Sequence, residues 1–400
     1  MAGSLFTIDG APSLRPRAKI QSVLSSPWLV SSMATCCHDK VENGLLPLFS
    51  HLASTDTPFE MQEVISRFIF DLAATPLFGV DPGLLSFSSD MLMPPMDAAV
   101  AMDTVMEVGF IRHLIPASCW KVMRCLNIGP ERKLRATHKV LRRFAAEMIK
   151  ERNKITLNGG RRALSNNEEH EDILSSYIND PDYINTDLLH AVLLSFMLAG
   201  RDTVGTTLPW VFYNLILNPD IVSIIRSQLS PIASRKEPMG PGAMMIFEPE
   251  DTKSLVYLRA ALVATRCRAG TPSLFLSTPW GDHPYFSPLH GETILISLHS
   301  MGRMEDLWGK DCLEYNPNRW LSEDGNTLRY VPSHKFLAFN SGSRICPGKE
   351  IAVMHMKTIV ATVVWNFDTE VVAGQIIQPK PSCILQMKSG FIVKLKKREL

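Results

Sequence analysis

A cysteine-containing loop, residues 336–350, constrains what this chain can fold into more than any other segment. It reads Phe-Leu-Ala-Phe-Asn-Ser-Gly-Ser-Arg-Ile-Cys-Pro-Gly-Lys-Glu, and a helical pattern follows directly, over residues 350–366. Cys346 is therefore predicted to lie at a helix N-terminus, where unpaired backbone N–H groups and the helix dipole favour a thiolate. Pro347 suits the first helical turn, because that turn requires no N–H donor from it.

Other residues of the same loop fit the approach of a flat, acidic ligand. Gly342 and Gly348 carry no side chain, so the backbone can pass close to such a ligand. Arg344 can bind an acidic group through two parallel N–H bonds. An isolated cysteine beside an arginine would most simply be a buried free thiol. Here Phe339 and Cys346 occur together with the two glycines and the arginine, so five residues of one loop indicate the same kind of site. The loop is therefore predicted to bind a ligand.

Composition limits the class of protein that can carry this loop. Of 400 residues, 46% are hydrophobic and only 20% are charged, so a large core can form and broad disorder is not expected. The net charge of +1 argues against a nucleic-acid partner. The eight cysteines include no C-x-x-C pair, which favours buried thiols in a reducing compartment. Since no apolar run reaches the ~18–20 residues of a spanning helix, we expect no anchor or signal segment in this chain.

The first two thirds of the chain is predicted to be mainly helical. Residues 131–154 and 59–79 place apolar side chains on one helical face. The longest candidate covers about 185–217, begins at capping residues, and contains Pro209, which is expected to kink it. A strand is predicted at 293–298.

Near the carboxyl end, residues 384–387 and 391–395 flank a turn and predict a hairpin. The chain contains no linker, so we expect a single domain over residues 1–400.

Five loop positions reproduce the haem-binding signature F-x-x-G-x-R-x-C-x-G of the cytochrome P450 superfamily, and nearly the whole chain resembles that superfamily. The resemblance implies a mainly α fold, a helical prism with small β-sheets, with part of the family's N-terminus missing here. It also implies haem b between the long helix and the helix after the loop, with Cys346 as the axial thiolate ligand of iron. The haem-binding residues by this resemblance are Phe339, Gly342, Arg344, Cys346 and Gly348.

A second motif lies in the long helix and is similar to the family's oxygen-activation segment, (A/G)-G-x-(D/E)-T. It reads Ala-Gly-Arg-Asp-Thr over residues 199–203. By resemblance, Gly200 lets the helix approach the porphyrin, and Asp202 and Thr203 are the catalytic pair that delivers protons where oxygen is activated. Alone, this pentad could equally be a polar patch on an exposed turn. Arg17 resembles the arginine of the family's W-x-x-x-R helix, which contacts a haem propionate.

The chain departs from the family at the E-x-x-R motif. Ala264 and Cys267 stand in place of the glutamate and arginine, although Arg266 and Arg268 flank the second position. The segment that resembles F-x-P-E-R-F/W supplies Arg319, which in the family joins these residues in a buried salt-bridge triad. We therefore expect Arg319 to lack its partner, a loss that commonly costs ~3–5 kcal/mol, and the haem loop to be held less firmly.

Two further stretches differ from the family. After Cys267 the sequence loses the family's pattern, including its strands, until about Gly291, as a compensated reading-frame shift or a mis-set exon boundary would produce. At the front, Ser13 replaces the tryptophan of W-x-x-x-R, and Pro16 stands where a helix should run.

Several stretches resemble plant hydroxylases of long-chain fatty acids and alkanes, most closely the mid-chain alkane hydroxylases. Arg201 inside the oxygen motif is the most telling residue. The same group contains enzymes that couple phenol rings in alkaloid synthesis, and sequence does not separate the two. The resemblance implies O2, a long-chain aliphatic substrate, and NADPH–cytochrome P450 reductase docking near Lys349, at the cytosolic face of the endoplasmic reticulum. The alternatives are a defective product of a degraded gene and a haem-binding or sensing protein that does not turn over.

Overall fold

The computed structural model describes residues 6, 11–86, 93–159, 172–183, 186–236, 244–269, 274–276 and 294–399. The mainly α architecture predicted from the sequence is confirmed within these ranges. The helices are α1 Leu14–Leu24, α2 Pro27–Lys40, α3 Leu46–Ser54, α4 Met61–Phe78, α5 Asp97–Leu114, α6 Ala117–Leu126, α7 Gly129–Gly159, α8 Ser175–Ile178, α9 Thr186–Met197, α10 Thr203–Ile216, α11 Pro219–Ala233, α12 Pro249–Thr252, α13 Val256–Ala269, α14 Leu298–Met301, α15 Glu305–Trp308 and α16 Lys349–Asn366. The strands are β1 Phe59–Glu60, β2 Leu274–Leu276, β3 Ile294–Ile296, β4 Phe367–Val371 and β5 Ile392–Lys397.

Local chemistry explains where the predicted helix at 59–79 begins and ends. The Glu60 carboxylate accepts from the backbone N–H groups of Gln62 and Glu63 at 2.8 and 2.6 Å, so it caps the free donors of the first turn of α4. Gly79 follows the last turn with φ +67°, the left-handed geometry that ends many helices.

The long helix predicted at 185–217 is present, but it is not uniform. A π-helical segment, Leu198–Asp202, separates α9 from α10. Pro209 lies buried within α10 and does not end the helix. Among the described residues, Asp187–Ile216 is the one helix long and apolar enough to cross a bilayer, yet 61% of its apolar window is buried within the protein. That burial is typical of a core helix, which is apolar on all sides.

Two apolar clusters meet along this helix. Leu208 and Phe212 of α10 belong to a cluster with α3, α4, α13, α16 and the carboxyl-terminal sheet. Met197 and Leu198 belong to a second cluster with α4, α5 and α7. The first turns of α16 touch both clusters, since Val353 lies in the first and Ile351 packs against the second. The Cys346 loop, which leads into α16, is thereby attached to the long helix.

The prediction that residues 384–387 pair with residues 391–395 in a hairpin is wrong. β5 pairs antiparallel with β4 and with β1, in the order β1-β5-β4, whereas Met387 forms a single bridge with Pro379. Ile384 and Met387 are both buried although they are three residues apart, a spacing that does not place two side chains on one face of a strand.

The strand predicted at 293–298 is confirmed as β3. It pairs antiparallel with β2, and β2 lies within the block that we expected to lack strands. The rest of that block, residues 270–273 and 277–293, lies outside the described residues.

Substitution of Gly390 by alanine is expected to destabilise the fold by about 2–4 kcal/mol. Gly390 has φ +62°, and a Cβ there would lie 2.1 Å from Glu60 Oε1. Glu60 would have to release the N–H groups that it caps and the N–H of Phe391. Gly374→Ala is the matched control, because Gly374 also has positive φ but a Cβ there meets nothing within 4 Å. Equal shifts of the urea midpoint in the two variants would refute the role of Glu60.

Candidate active site

Cys346 is exposed, in the loop that leads into α16, as predicted. Its backbone N–H donates to the carbonyl of Phe339 at 2.8 Å, which folds the loop back on itself. Gly342 has φ +56°, and a Cβ built there or on Gly348 would meet nothing within 4 Å. Pro347 lies in the turn before the helix rather than in its first helical turn. The loop therefore presents a thiol at a helix N-terminus with open space beside its backbone.

The other thiols differ from Cys346 in burial or in surroundings. Burial raises the pKa of Cys36 to about 11 and that of Cys383 to about 12, and it raises the pKa of Cys37 further. Such groups are held as neutral thiols at physiological pH. Cys119 and Cys125 are exposed but lie on α6, outside any glycine-containing loop.

Arg17 reaches the cysteine loop from the first helix. Its guanidinium donates to the carbonyl of Ile345 at 3.0 Å. The expectation that Pro16 disrupts this region is wrong, because Pro16 lies in the first turn of α1, where its N–H would have no partner in the helix. Arg344 lies half-buried in the 3-10 turn of the same loop. Two arginines are thus brought to one loop from distant parts of the sequence.

The oxygen motif combines an exposed face with a buried one. Ala199 and Gly200 are exposed although most of the helix around them is buried, and Thr203 is half-buried. The Thr203 hydroxyl donates to the Ala199 carbonyl at 2.8 Å. Because the side chains of Ala199 and Gly200 are small, they leave an open surface on an otherwise buried helix, where a flat ligand can approach.

Arg201 and Asp202 point to the opposite, buried side. Arg201 is 3% exposed, and its guanidinium donates to Asp202 Oδ1 at 2.7 Å, to Asp103 Oδ1 at 2.5 Å and to Ser66 Oγ at 2.6 Å. Asp202 Oδ2 finds no hydrogen-bond partner among the residues that the structure describes. Burial raises the pKa of Asp202 to about 6, outweighing the opposing effect of Arg201. Sequence reasoning found Asp202 but missed Asp103 and the π-helical turn.

The expectation that Arg319 lacks a partner is wrong. Arg319 donates to the side chain of Asp311 at 2.6 Å and to its backbone carbonyl at 2.7 Å, and its guanidinium lies 5.9 Å from the Trp308 ring. The Arg319 guanidinium lowers the pKa of Asp311. An aspartate eight residues earlier in the chain replaces the absent glutamate, and it does so near the surface, since Asp311 is 42% exposed.

Helix α13 contacts the cysteine loop through Arg266, for which sequence reasoning assigned no role. Ala264, predicted to stand in place of the family's glutamate, is buried, and the side chains of Cys267 and Arg268 lie outside the described residues. The Arg266 guanidinium is 6% exposed, lies 4.1 Å from the Phe339 ring centroid, and donates weakly to the Ala338 carbonyl at 3.4 Å.

Charge explains why Arg266 matters to the loop. Its Nε finds no partner among the described residues. Burial lowers the pKa of Arg266 to about 10, and the negative charge of an ionised Cys346 opposes that shift. The signal that could have identified it is an arginine two residues after the apolar run of residues 260–264 in α13.

A second contact joins α13 to the segment that contains Arg319. The Tyr315 hydroxyl donates to the Ala261 carbonyl at 3.0 Å, and Thr265 donates to the same hydroxyl at 3.4 Å. Hydrogen bonds and ring contacts therefore attach α13 here, and the described side chains form no buried ion-pair triad.

Comparisons with known proteins identify the family of this chain. The family model for cytochrome P450 matches residues 39–269 and 282–395, so the gap after α13 is shorter than the one expected from the sequence, which ran to about Gly291. Noroxomaritidine synthase 1 from Narcissus pseudonarcissus is 31% identical over 99% of this chain and 76% of its own length. From Arabidopsis thaliana, cytochrome P450 86B1 is 33% identical and alkane hydroxylase MAH1 is 32% identical, each over 90% of this chain, and over 64% and 70% of their own lengths. The chain belongs to the cytochrome P450 family of monooxygenases, which hold haem iron through a cysteine thiolate.

Proposed function

We propose that this chain is a haem-thiolate monooxygenase that hydroxylates a long-chain aliphatic substrate, with Cys346 as the axial ligand. The observation that supports this proposal is that two exposed motifs lie on helices that pack into one core. The exposed Cys346 loop lies at the start of α16, and the open surface at Gly200 lies on the long helix. Ile351 of α16 packs against the cluster that contains Leu198, so both motifs are attached to one core.

The residues present fit haem. Open space beside Gly342 and Gly348 admits a flat ring next to the loop backbone, and Phe339 closes the loop through the hydrogen bond from Cys346. Arg17 and Arg344 are cations at the loop that suit acidic propionates. When bound, the haem supplies the activation of O2 and the transfer of one oxygen atom into a C–H bond.

Proton delivery is assigned to the chain's own side chains. Thr203 offers a half-exposed hydroxyl on the ligand side of the helix, and Gly200 keeps that side open. Burial raises the pKa of Asp202 to about 6, so this carboxyl binds a proton more readily than an ordinary aspartate, and its Oδ2 has no hydrogen-bond partner among the described residues. A carboxyl of this kind can accept a proton and release it again without a large change in free energy.

The aliphatic substrate is supported by the relative named alkane hydroxylase MAH1. The relative named noroxomaritidine synthase 1 supports an alternative, phenol coupling in alkaloid synthesis. A third candidate is a defective protein, which the loss of the glutamate at Ala264 and the buried charge of Arg266 favour.

Electrons are assigned to NADPH–cytochrome P450 reductase, at the surface around Lys349 and the cysteine loop. Lys349 is 38% exposed on its side chain and its Nζ lies 5.6 Å from the Phe339 ring. We place the protein at the cytosolic face of the endoplasmic reticulum. In support, α6 has no buried residue and exposes Val122 and Leu126 beside the basic Lys121 and Arg124, which suits contact with a lipid surface.

Replacement of Cys346 by alanine is expected to abolish the thiolate-type absorption band of the reduced, CO-treated protein. The physical reason is that, among the thiols that the structure describes, only Cys346 is exposed at a helix N-terminus with open space for haem. Cys119→Ala is the matched control, because Cys119 is also exposed but lies on α6. A thiolate band that survives in the Cys346 variant would reject the ligand assignment.

Replacement of Arg266 by methionine is expected to have opposite effects in the two forms. In the haem-free protein it should stabilise the fold by about 1–3 kcal/mol, because a buried cation without a carboxylate is removed. In the haem-loaded protein it should weaken haem retention, because the thiolate loses a neighbouring positive charge. Urea midpoints of both forms and haem per polypeptide measure this.

Arg259→Met is the matched control for Arg266. It removes the same charge from α13, but at a side chain that is 34% exposed, so a change within about 0.5 kcal/mol is expected in both forms. Destabilisation of the haem-free protein by Arg266→Met would show that the ring contact with Phe339 outweighs desolvation.

Microsomes that contain this protein and the reductase test the function and the location together. With NADPH, they are expected to hydroxylate a long-chain fatty acid or alkane and to leave a phenolic alkaloid precursor unchanged. Coupling of the phenol without aliphatic hydroxylation would support the alternative substrate. Absence of the thiolate band from the parent protein would support the defective form, and absence of the protein from the microsomes would contradict the location.

A further inference from the structure

Arg201 joins two carboxylates from different helices. Its NH1 lies 2.5 Å from Asp103 Oδ1 on α5 and 2.7 Å from Asp202 Oδ1, while NH2 donates to Ser66 of α4. Asp103 Oδ1 also accepts from Gln386 Nε2 at 2.7 Å. The side chains of Arg201 and Asp202 are 3% and 2% exposed, whereas that of Asp103 is 28% exposed. Three elements, α4, α5 and the π-helical segment, thus meet at one guanidinium, and one carboxylate of the group reaches towards solvent.

The group carries one cation and two carboxylates, so its charges do not balance. The charged groups that face Asp202 are Arg201 from its own segment and Asp103 from α5, while Ser66 of α4 is neutral. In a buried site such an excess negative charge is costly, because little water is present to screen it. A proton bound to one of the two carboxylates removes the excess.

Geometry decides which carboxylate takes that proton. Asp103 accepts two hydrogen bonds and is partly solvated, and both contacts favour its charged form. Asp202 is buried, and its Oδ2 has no partner within the described residues. Without the charge of Asp103, Arg201 would pair with Asp202 alone and neutralise it.

We propose that Asp103 is a positioning residue for the oxygen-activation segment: by sharing Arg201, it keeps Asp202 from being fully neutralised and leaves one carboxyl oxygen free to carry a proton. This inference rests on the proposed monooxygenase function, in which Asp202 passes protons. It also makes proton delivery depend on the position of α5. If α5 moves and the contact between Asp103 and Arg201 breaks, Arg201 pairs with Asp202 alone.

The first test needs neither haem nor turnover. A buried carboxyl with a raised pKa stabilises the fold while protonated, so the parent should lose stability as pH rises from the pKa of an unfolded aspartate, about 4, through the folded value. Asp103→Asn, in the full chain, is expected to lower the pH midpoint of that loss by about one unit. Glu107→Gln, which neutralises another α5 carboxylate that pairs with Lys380, should leave the midpoint unchanged.

Further variants make the readout specific. In an Asp202→Asn background, Asp103→Asn should no longer move the midpoint, because the titrating group is gone. Asp103→Glu should restore the parent midpoint. An unchanged midpoint in Asp103→Asn, or an equal change in the Asp202→Asn background, would overturn the proposal.

Coupling of NADPH oxidation to product is the second test, in haem-loaded protein. Asp103→Asn is expected to lower coupling several-fold and to shift its pH dependence in the same direction as stability, whereas Thr203→Ala lowers coupling without moving the stability midpoint. If the parent gives no product, the proposed function fails while the stability test still decides the role of Asp103. Normal coupling at every pH in Asp103→Asn would reject that role.

A measurement on the parent protein covers the case in which Asp103→Asn does not fold. Infrared spectra of the parent and of Asp202→Asn, compared at pH 5 and pH 7.5, report the carboxyl band of Asp202. A protonated band at pH 5 that disappears at pH 7.5 is the titration that the proposal requires of Asp202. An ionised Asp202 at pH 5 overturns it.

Discussion

The packing of the long helix against α4 is the contact on which the rest of the structure depends. Buried side chains of α10 and α4 join the first apolar cluster, and those of α9 and α4 join the second. Between α9 and α10, the π-helical segment Leu198–Asp202 changes the register of side chains around the helix axis, a feature often found at functional sites. Within this segment Gly200 is exposed while Arg201 is buried. A ligand face and a charged interior are thereby built into one helical turn.

Buried charge that is not balanced lies close to both motifs. Near the cysteine loop, Arg266 is buried, and within the described part of the chain it has no carboxylate partner and makes one weak hydrogen bond, to Ala338. In the oxygen motif, Arg201 is shared by two carboxylates. The first arrangement has a positive excess that an anionic thiolate reduces, and the second has a negative excess that a proton reduces. Each imbalance is corrected by a species that the proposed reaction itself requires.

Local patterns in the sequence were sufficient for the helices at 59–79 and 185–217 and for the loop that presents Cys346, since caps, glycines and periodicity act over a few residues. Contacts between distant segments were not predictable in this way. Asp103 lies far from Arg201 in the sequence, and a single aspartate on an amphipathic helix gives no sign of its partner. The pairing of β5 with β4 was missed for the same reason, because a nearby apolar run suggested a hairpin instead.

Although the sequence lacks the E-x-x-R motif, other residues connect α13, the Arg319 segment and the cysteine loop. Asp311 supplies Arg319 with a carboxylate, and Tyr315 attaches the same segment to α13 through the Ala261 carbonyl. Arg266 then reaches the loop through the Phe339 ring. These contacts are nearer the surface or weaker than a buried ion-pair network, and exposed ion pairs contribute little to stability. The loop should therefore depend on its ligand for rigidity, because an iron-bound thiolate at Cys346 places a negative charge close to Arg266.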